Sequence, residues 1–236
     1  MENSNRGFDK LLEEVELSIP FYTLHLKNLR VLKAQQDRAI KYLEENIDEP
    51  QLDVLKELDK LNSFQALLTI SLLDLLVVCK NMCLSKYDWE SAFFIKQCSL
   101  IIYETCKNYK VQQRPLRSLV IEKYPSFLNK FNELNRNIYL FMEEPDYAYI
   151  KDIRNKIAGH IEKDFSIYYD TIFNLDGEKT GKIISKFLKI VGDFQKYLVE
   201  IIKCANSNSN QEKEQLDGKL KEIKMKIDKL LEIYSN

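Results

Sequence analysis

Arg154, Asn155 and His160 are the residues of this 236-residue chain whose types and spacing suit a defined chemistry. They stand in the run Ile153-Arg154-Asn155-Lys156-Ile157-Ala158-Gly159-His160. Arginine binds a phosphate through a planar fork of donors. Histidine exchanges a proton near neutral pH. An amide beside the arginine donates to an oxygen or fixes the imidazole. These are groups that cleave a phosphodiester without a metal. The spacing sets a condition. A straight helix turns about 100° per residue, so side chains six apart point roughly 120° away from each other. Gly159 is the only glycine between Gly7 and Gly177, and a glycine inside a helix costs about 1 kcal/mol relative to alanine. A left-handed residue ending the helix there would bring the imidazole back towards the arginine. The plainer alternative is a helix C-terminus, with His160 on the last carbonyls and Arg154 a surface charge.

Other groupings are weaker. Gly177-Glu178-Lys179-Thr180-Gly181-Lys182 has three residues between its glycines and Ile183 after the lysine. A phosphate loop needs four and a Ser or Thr, so the segment reads as a turn between helices. Cys79 and Cys83 are helical neighbours with no nearby histidine to complete a zinc site; they, Cys98 and Cys106 read as packing residues. No metal and no cofactor is expected. His25, in Tyr22-Thr23-Leu24-His25-Leu26-Lys27, reads as structural or solvent-facing.

The elements that must position Arg154 and His160 are helices. Six glycines and five prolines in 236 residues are too few for the tight turns of a sandwich or barrel. Phe8 to about Asn46 reads as one or two helices with a break or kink near Pro20. Leu29, Leu32, Gln36, Ala39, Leu43 and Ile47 follow three/four spacing there. A second helix runs from Leu52 to about Leu84, a third from Trp89, capped by Asp88, to about Tyr109. Pro115 sits near the start of the next helical stretch, and Pro125 restarts it to Phe141. Pro145 opens a helix reaching Ala158. The aromatic segment Phe165–Phe173 reads as helix, Ile183–Cys204 as another. Asn206–Asn210 reads as a polar linker. Beyond it Leu216, Leu220, Ile223, Ile227, Leu230 and Tyr234 are spaced 4, 3, 4, 3, 4, an a/d seam packing back on the domain or pairing with a partner.

Charge and location follow. Lys and Arg number 35 against 36 Asp and Glu, a net charge of -1, which excludes a uniformly basic nucleic-acid binder. The first 16 residues carry seven charged side chains and no apolar signal core. Five cysteines suit reduced thiols in a cytoplasm. The apolar run Leu67–Cys79 is short for a bilayer and has Asp74 inside it. It reads as a buried core helix, and no membrane partner is expected.

The run Ile153–His160 resembles the Arg-Asn-x(4)-His signature of HEPN domains, all-helical modules of toxin-antitoxin, abortive-infection and other antiviral systems. The Trp89–Tyr109 stretch is similar to an early helix of some bacterial members. The resemblance implies an all-α, HEPN-like helical bundle with additional N-terminal helices and a short C-terminal coiled-coil-like helix. The divisions are an N-terminal extension at 1–60, a core at 61–205 and a linker with amphipathic helix at 206–236. It also implies a metal-independent endoribonuclease acting as a homodimer, with both motif copies facing one cleft. Arg154 would bind the scissile phosphate, Asn155 is the polar residue after it, and His160 would serve as general acid/base in 2′-hydroxyl attack. The product would carry a 2′,3′-cyclic phosphate. RNA is the implied partner, together with an antitoxin or defence-system protein. In one subgroup a tyrosine two residues after the histidine is nucleotidylated; here that position is Glu162. Some family members are inactive scaffolds, so a non-catalytic interaction module is the alternative.

RNA needs a local positive surface. Lys107, Lys110, Arg114, Arg117 and Lys123 stand against Glu122 in one stretch. Lys179, Lys182, Lys186 and Lys189 stand against Glu178 in another. Lys156, Arg114, Arg117, Lys182 and Lys186 are the expected phosphate contacts, with solvated faces the plainer reading. Tyr168 and Tyr169 suit base stacking or, more simply, core packing.

Overall fold

The computed structural model describes the backbone of residues 2–46, 49–158 and 164–234, and the side chains of residues 12–45, 52–158 and 164–205. In chain order the elements are α1 (Glu2–Asn46), α2 (Glu49–Leu84) and α3 (Asp88–Lys123), then a 3-10 turn (Pro125–Phe127). They continue with α4 (Leu128–Glu143), α5 (Pro145–Ile153), a π-helical turn (Arg154–Ala158), α6 (Phe165–Phe173) and α7 (Gly177–Tyr234). Among the described residues there is no strand; the protein is all-α. Two compact units divide the chain, Met1–Leu198 and Val199–Asn236, the second holding the far part of α7.

In the first unit α2 packs against both α1 and α3, and α3 packs against α4 and α5. The reason is written in α2. Leu61, Phe64, Leu68, Leu72 and Leu75 recur every three or four residues and are buried, so they form one helix face. Aromatic rings tie that face to its neighbours. Phe64 lies 5.9 Å from Tyr109 and 6.0 Å from Phe194, and Tyr109 lies 5.2 Å from Phe194. Phe141 of α4 meets Phe187 of α7 at 5.4 Å. Each fully buried ring of this kind contributes about 1.5–3 kcal/mol.

α1 lies along α2 through Val15, Leu29, Gln36 and Leu43, all buried and a multiple of seven residues apart. Of the expected periodic set, Leu29, Gln36 and Leu43 face inward, whereas Leu32 is exposed. Ile47 lies outside the described residues. Lys33 bridges to Asp59 at 2.9 Å and Lys80 to Glu16 at 2.7 Å.

Helix α2 is long and apolar enough to cross a membrane by length and composition, with 28% of its most apolar window buried. It is not buried all round as the sequence led us to expect. Ile70, Asp74 and Val77 are exposed, while the buried face includes Asn62, Gln65, Thr69 and Ser71. Those polar groups are met by protein: Thr105 Oγ1 donates to Ser71 Oγ at 2.7 Å, and Gln195 Nε2 to Thr69 Oγ1 at 3.2 Å.

Several expected boundaries moved. Pro20 lies inside the single helix α1, one of the two expected forms, whereas Pro115 lies inside α3 rather than near the start of a helix. Both are exposed, so the carbonyl freed four residues earlier meets water. The buried Leu116, Leu119 and Val120 then carry α3 past Tyr109 to Lys123. Tyr87, not Asp88, is the N-cap residue of α3, and the Glu90 carboxylate accepts from the Lys86 and Tyr87 backbone N–H groups. The expected turn at Gly177–Gly181 is the first turn of α7. The Asp176 carboxylate accepts from the Lys179 N–H at 2.9 Å, the bond that starts a helix. No linker interrupts 206–210, which is helical within α7. Asn and Ser there cost only tenths of a kcal/mol each, with no Gly or Pro to break the ladder. The expected divisions at 60 and 205 lie inside α2 and α7 respectively. The Leu216–Tyr234 seam is helical in backbone, and its side chains lie outside those described.

Candidate functional site

Arg154 opens the π-helical turn that follows α5. In such a turn N–H groups reach back five residues rather than four, which accommodates one extra residue, and these turns cluster at functional sites. A small second core holds it in place. Ile153 and Ile157, on either side of Arg154, are buried with Ala92 and Ile95 of α3 and Ile172 of α6. Gly159 and His160 lie outside the described residues.

The Arg154 side chain is held on three sides. Its Nη2 donates to Glu104 Oε1 at 3.1 Å, and its Nη1 to Asn155 Oδ1 at 3.3 Å. The guanidinium lies over the Tyr103 ring, 4.7 Å from the centroid. Tyr103 in turn stacks on Tyr147 of α5, with ring centroids 6.4 Å apart and planes 9° from parallel. Among the described residues the buried Nε donor of Arg154 meets no partner, which is costly for a charged group. Lys107 Nζ stands 3.7 Å from the other Glu104 oxygen. Glu104 thus sits between two cations, and the Nη1 side of the fork is taken by Asn155 Oδ1.

The structure brings Arg154 and Asn155 together and adds two residues that sequence reasoning missed, Tyr103 and Glu104. They lie fifty residues upstream on α3, and only tertiary packing unites them with the motif. Of the other expected cations, only Lys156 stands on the same π turn. Lys156 pairs with Asp152 at 2.9 Å, Lys182 with Glu178 at 2.6 Å, and Lys186 with Glu144. Arg114 and Arg117 are exposed on α3, roughly 15 and 20 Å along the helix from Glu104. Lys186 meets α5 at its start, Arg154 at its end, again roughly 15 Å apart.

A cavity of about 370 Å³ opens between α5 and α6 behind the π turn, lined by Tyr149, Asp152, Lys156, Asp170, Thr171 and Asn174 among others. Tyr168 is half-buried and accepts from Lys96 Nζ at 3.0 Å. Tyr169 is exposed between the Phe165 and Phe173 rings, 5.6 and 4.3 Å away.

Among the described residues no three His, Cys, Asp or Glu side chains converge to hold a metal ion. All five cysteines are free thiols. The Cys98 thiol donates to the Cys79 sulfur, which pushes Cys98 up and Cys79 down from their ordinary values. His25 is half-buried, and desolvation lowers its pKa. No family model, no curated protein and no solved structure matches the chain.

Proposed function

We propose that the chain is a metal-independent endoribonuclease of HEPN type, working in the cytoplasm as a homodimeric toxin or antiphage effector. The observation that carries this reading is the Arg154 side chain, mounted on a π turn and pre-oriented by the Tyr103 ring, with Asn155 accepting from its Nη1. A guanidinium held in one rotamer grips a phosphate without losing the freedom a surface arginine has. The scissile phosphate would displace Asn155 from Nη1 or Glu104 from Nη2. His160 would remove the 2′-hydroxyl proton, the 2′-oxygen would bond to phosphorus as the bond from phosphorus to the 5′-oxygen breaks, and the imidazolium so formed would return the proton to the leaving 5′-oxygen. The 2′,3′-cyclic phosphate and a 5′-hydroxyl end result.

A second reading has its own support. Glu104 already neutralises Arg154, and the Nε edge is shut away from solvent. Those features suit a HEPN-like bundle serving as a non-catalytic module in a defence or regulatory complex.

Incubation of the purified chain with total RNA in EDTA, beside Arg154→Ala and His160→Ala, separates the two. Metal-independent cleavage that disappears in both variants is expected from the enzyme. Equal inactivity of all three proteins on structured and unstructured RNAs overturns it in favour of the scaffold.

A further inference from the structure

The side of α1 turned away from α2 is apolar in a pattern. Leu17, Phe21, Leu24 and Val31 are 70, 66, 58 and 51% exposed, with Leu32 beside them. Together with Asn28 they are spaced 4, 3, 4, 3 along the helix. At about 100° per residue they form a strip roughly 140° round the helix from the Val15–Leu29 column that faces α2. A contiguous apolar strip of several hundred Å² marks an interaction surface. The spacing specifies what covers it, because a 4-3 repeat keeps its side chains against a second helix through knobs-into-holes packing.

We propose that α1 carries a two-heptad docking seam for α1 of a second copy of this chain, packed parallel and in register. Three observations select that occupant. Leu17 and Leu24 take d positions and Asn28 a lone polar a position, the arrangement that pairs two strands in register through the amides. Glu14 and Gln35 continue the a column outward, so a slip of one heptad buries a carboxylate against Phe21. Lys27 flanks the seam. In a parallel pair it faces the second copy's Leu32, whose surface its methylene stem covers. In an antiparallel pair Asn28 would instead face Leu17 or Leu24 of the second copy, leaving its amide without an amide partner. Two heptads are marginal for peptides that must fold to pair. Here α2 already holds α1 as a helix, so pairing needs no folding. A dimer indifferent to changes in α1 overturns the seam and leaves the nuclease reading, and absent RNA cleavage leaves the seam; a monomeric chain overturns the seam together with the homodimeric part of that reading.

Sedimentation equilibrium of the full chain tests this, comparing Phe21→Glu/Leu24→Glu and Asn28→Ile with the parent. The parent is expected to dimerise. The glutamate pair should weaken dimerisation by roughly 100-fold or more, with unchanged far-UV circular dichroism. Asn28→Ile should tighten association about tenfold or more and admit higher oligomers. A parent that is monomeric at about 100 μM overturns the proposal, as does a dimer indifferent to the glutamate pair. If the glutamate pair loses helicity, Asn28→Ile decides, and an unchanged dissociation constant overturns it.

Discussion

The Arg154 guanidinium lies over the Tyr103 ring at 4.7 Å, and the next residue, Glu104, takes its Nη2 at 3.1 Å. One turn of α3 therefore grips the arginine by its face and by its edge. The half-exposed ion pair is worth about 0.2–1 kcal/mol, and the ring contact about 0.5–1 kcal/mol. A double-mutant cycle of Tyr103→Leu with Arg154→Met should return an interaction energy in that second range from urea titrations. A coupling indistinguishable from zero means the ring does not hold the guanidinium.

Alkaline pH should loosen the fold through Cys106. Burial pushes its thiol up to about 12 from an ordinary 9.0. The folded protein keeps it neutral while the unfolded chain ionises it. The stability it contributes is complete below about pH 9 and is lost as pH rises towards 12, at about 1.4 kcal/mol per pH unit. Buried Tyr109 is shifted in the same direction by desolvation and adds to the loss from its own ordinary value upward. Urea midpoints at pH 8 and pH 10.5 should diverge less in Cys106→Val than in the parent. Equal divergence removes Cys106 from the account.

The Tyr109 hydroxyl donates to Asn135 Oδ1 at 2.7 Å, and the two ends of this bond are not equivalent. Tyr109 is buried, whereas Asn135 is half-buried. Asn135→Ala strands a hydroxyl in the core, which costs about 1–3 kcal/mol. Tyr109→Phe leaves an amide that water reaches, and should cost less. Phe194→Ala, which empties the space between Phe64 and Tyr109, should exceed both at about 3–5 kcal/mol. Chemical denaturation of the three variants gives the order; Tyr109→Phe ranking above Asn135→Ala contradicts it.

Thiol reactivity should follow burial. Cys83 is exposed, while Cys98 and Cys106 are buried; all three thiols are pushed up from their ordinary value, so access separates them. A maleimide at neutral pH should modify Cys83 and spare Cys98 and Cys106 until denaturant is added. Peptide mapping by mass spectrometry reads this directly. Early labelling of Cys106 means the core around Tyr109 opens without global unfolding.

Much of the helical architecture was legible because periodicity survives without tertiary information. Leu61 to Leu75 announce a buried face, and Pro145 stands in the first turn of α5 as its fixed φ requires. The errors came from local signals that longer-range packing overrides. Pro115 is a helix breaker in isolation, yet residues on both sides are committed to the same buried face and the ring is exposed. Asn206–Asn210 reads as a linker, but five weak preferences do not stop a ladder under way. At the candidate site, Arg154 and Asn155 stood out by type and spacing. Tyr103 and Glu104 did not, because nothing within α3 marks them until α5 is laid alongside. The apolar column Leu17–Val31 was masked by the stronger Leu29–Leu43 column on the same helix.

The π turn at Arg154–Ala158 makes chain length at this point count for more than composition. Five residues close a loop that four would close in an ordinary helix. Removing any one of them would restore the shorter ladder and swing everything downstream by about 100°, carrying Ile172 of α6 away from its seat against Ala92, Ile95, Ile153 and Ile157. Substitution at Lys156 or Ala158 leaves that phase alone. Among homologous chains, gaps should therefore be rarer across these five positions than side-chain changes are.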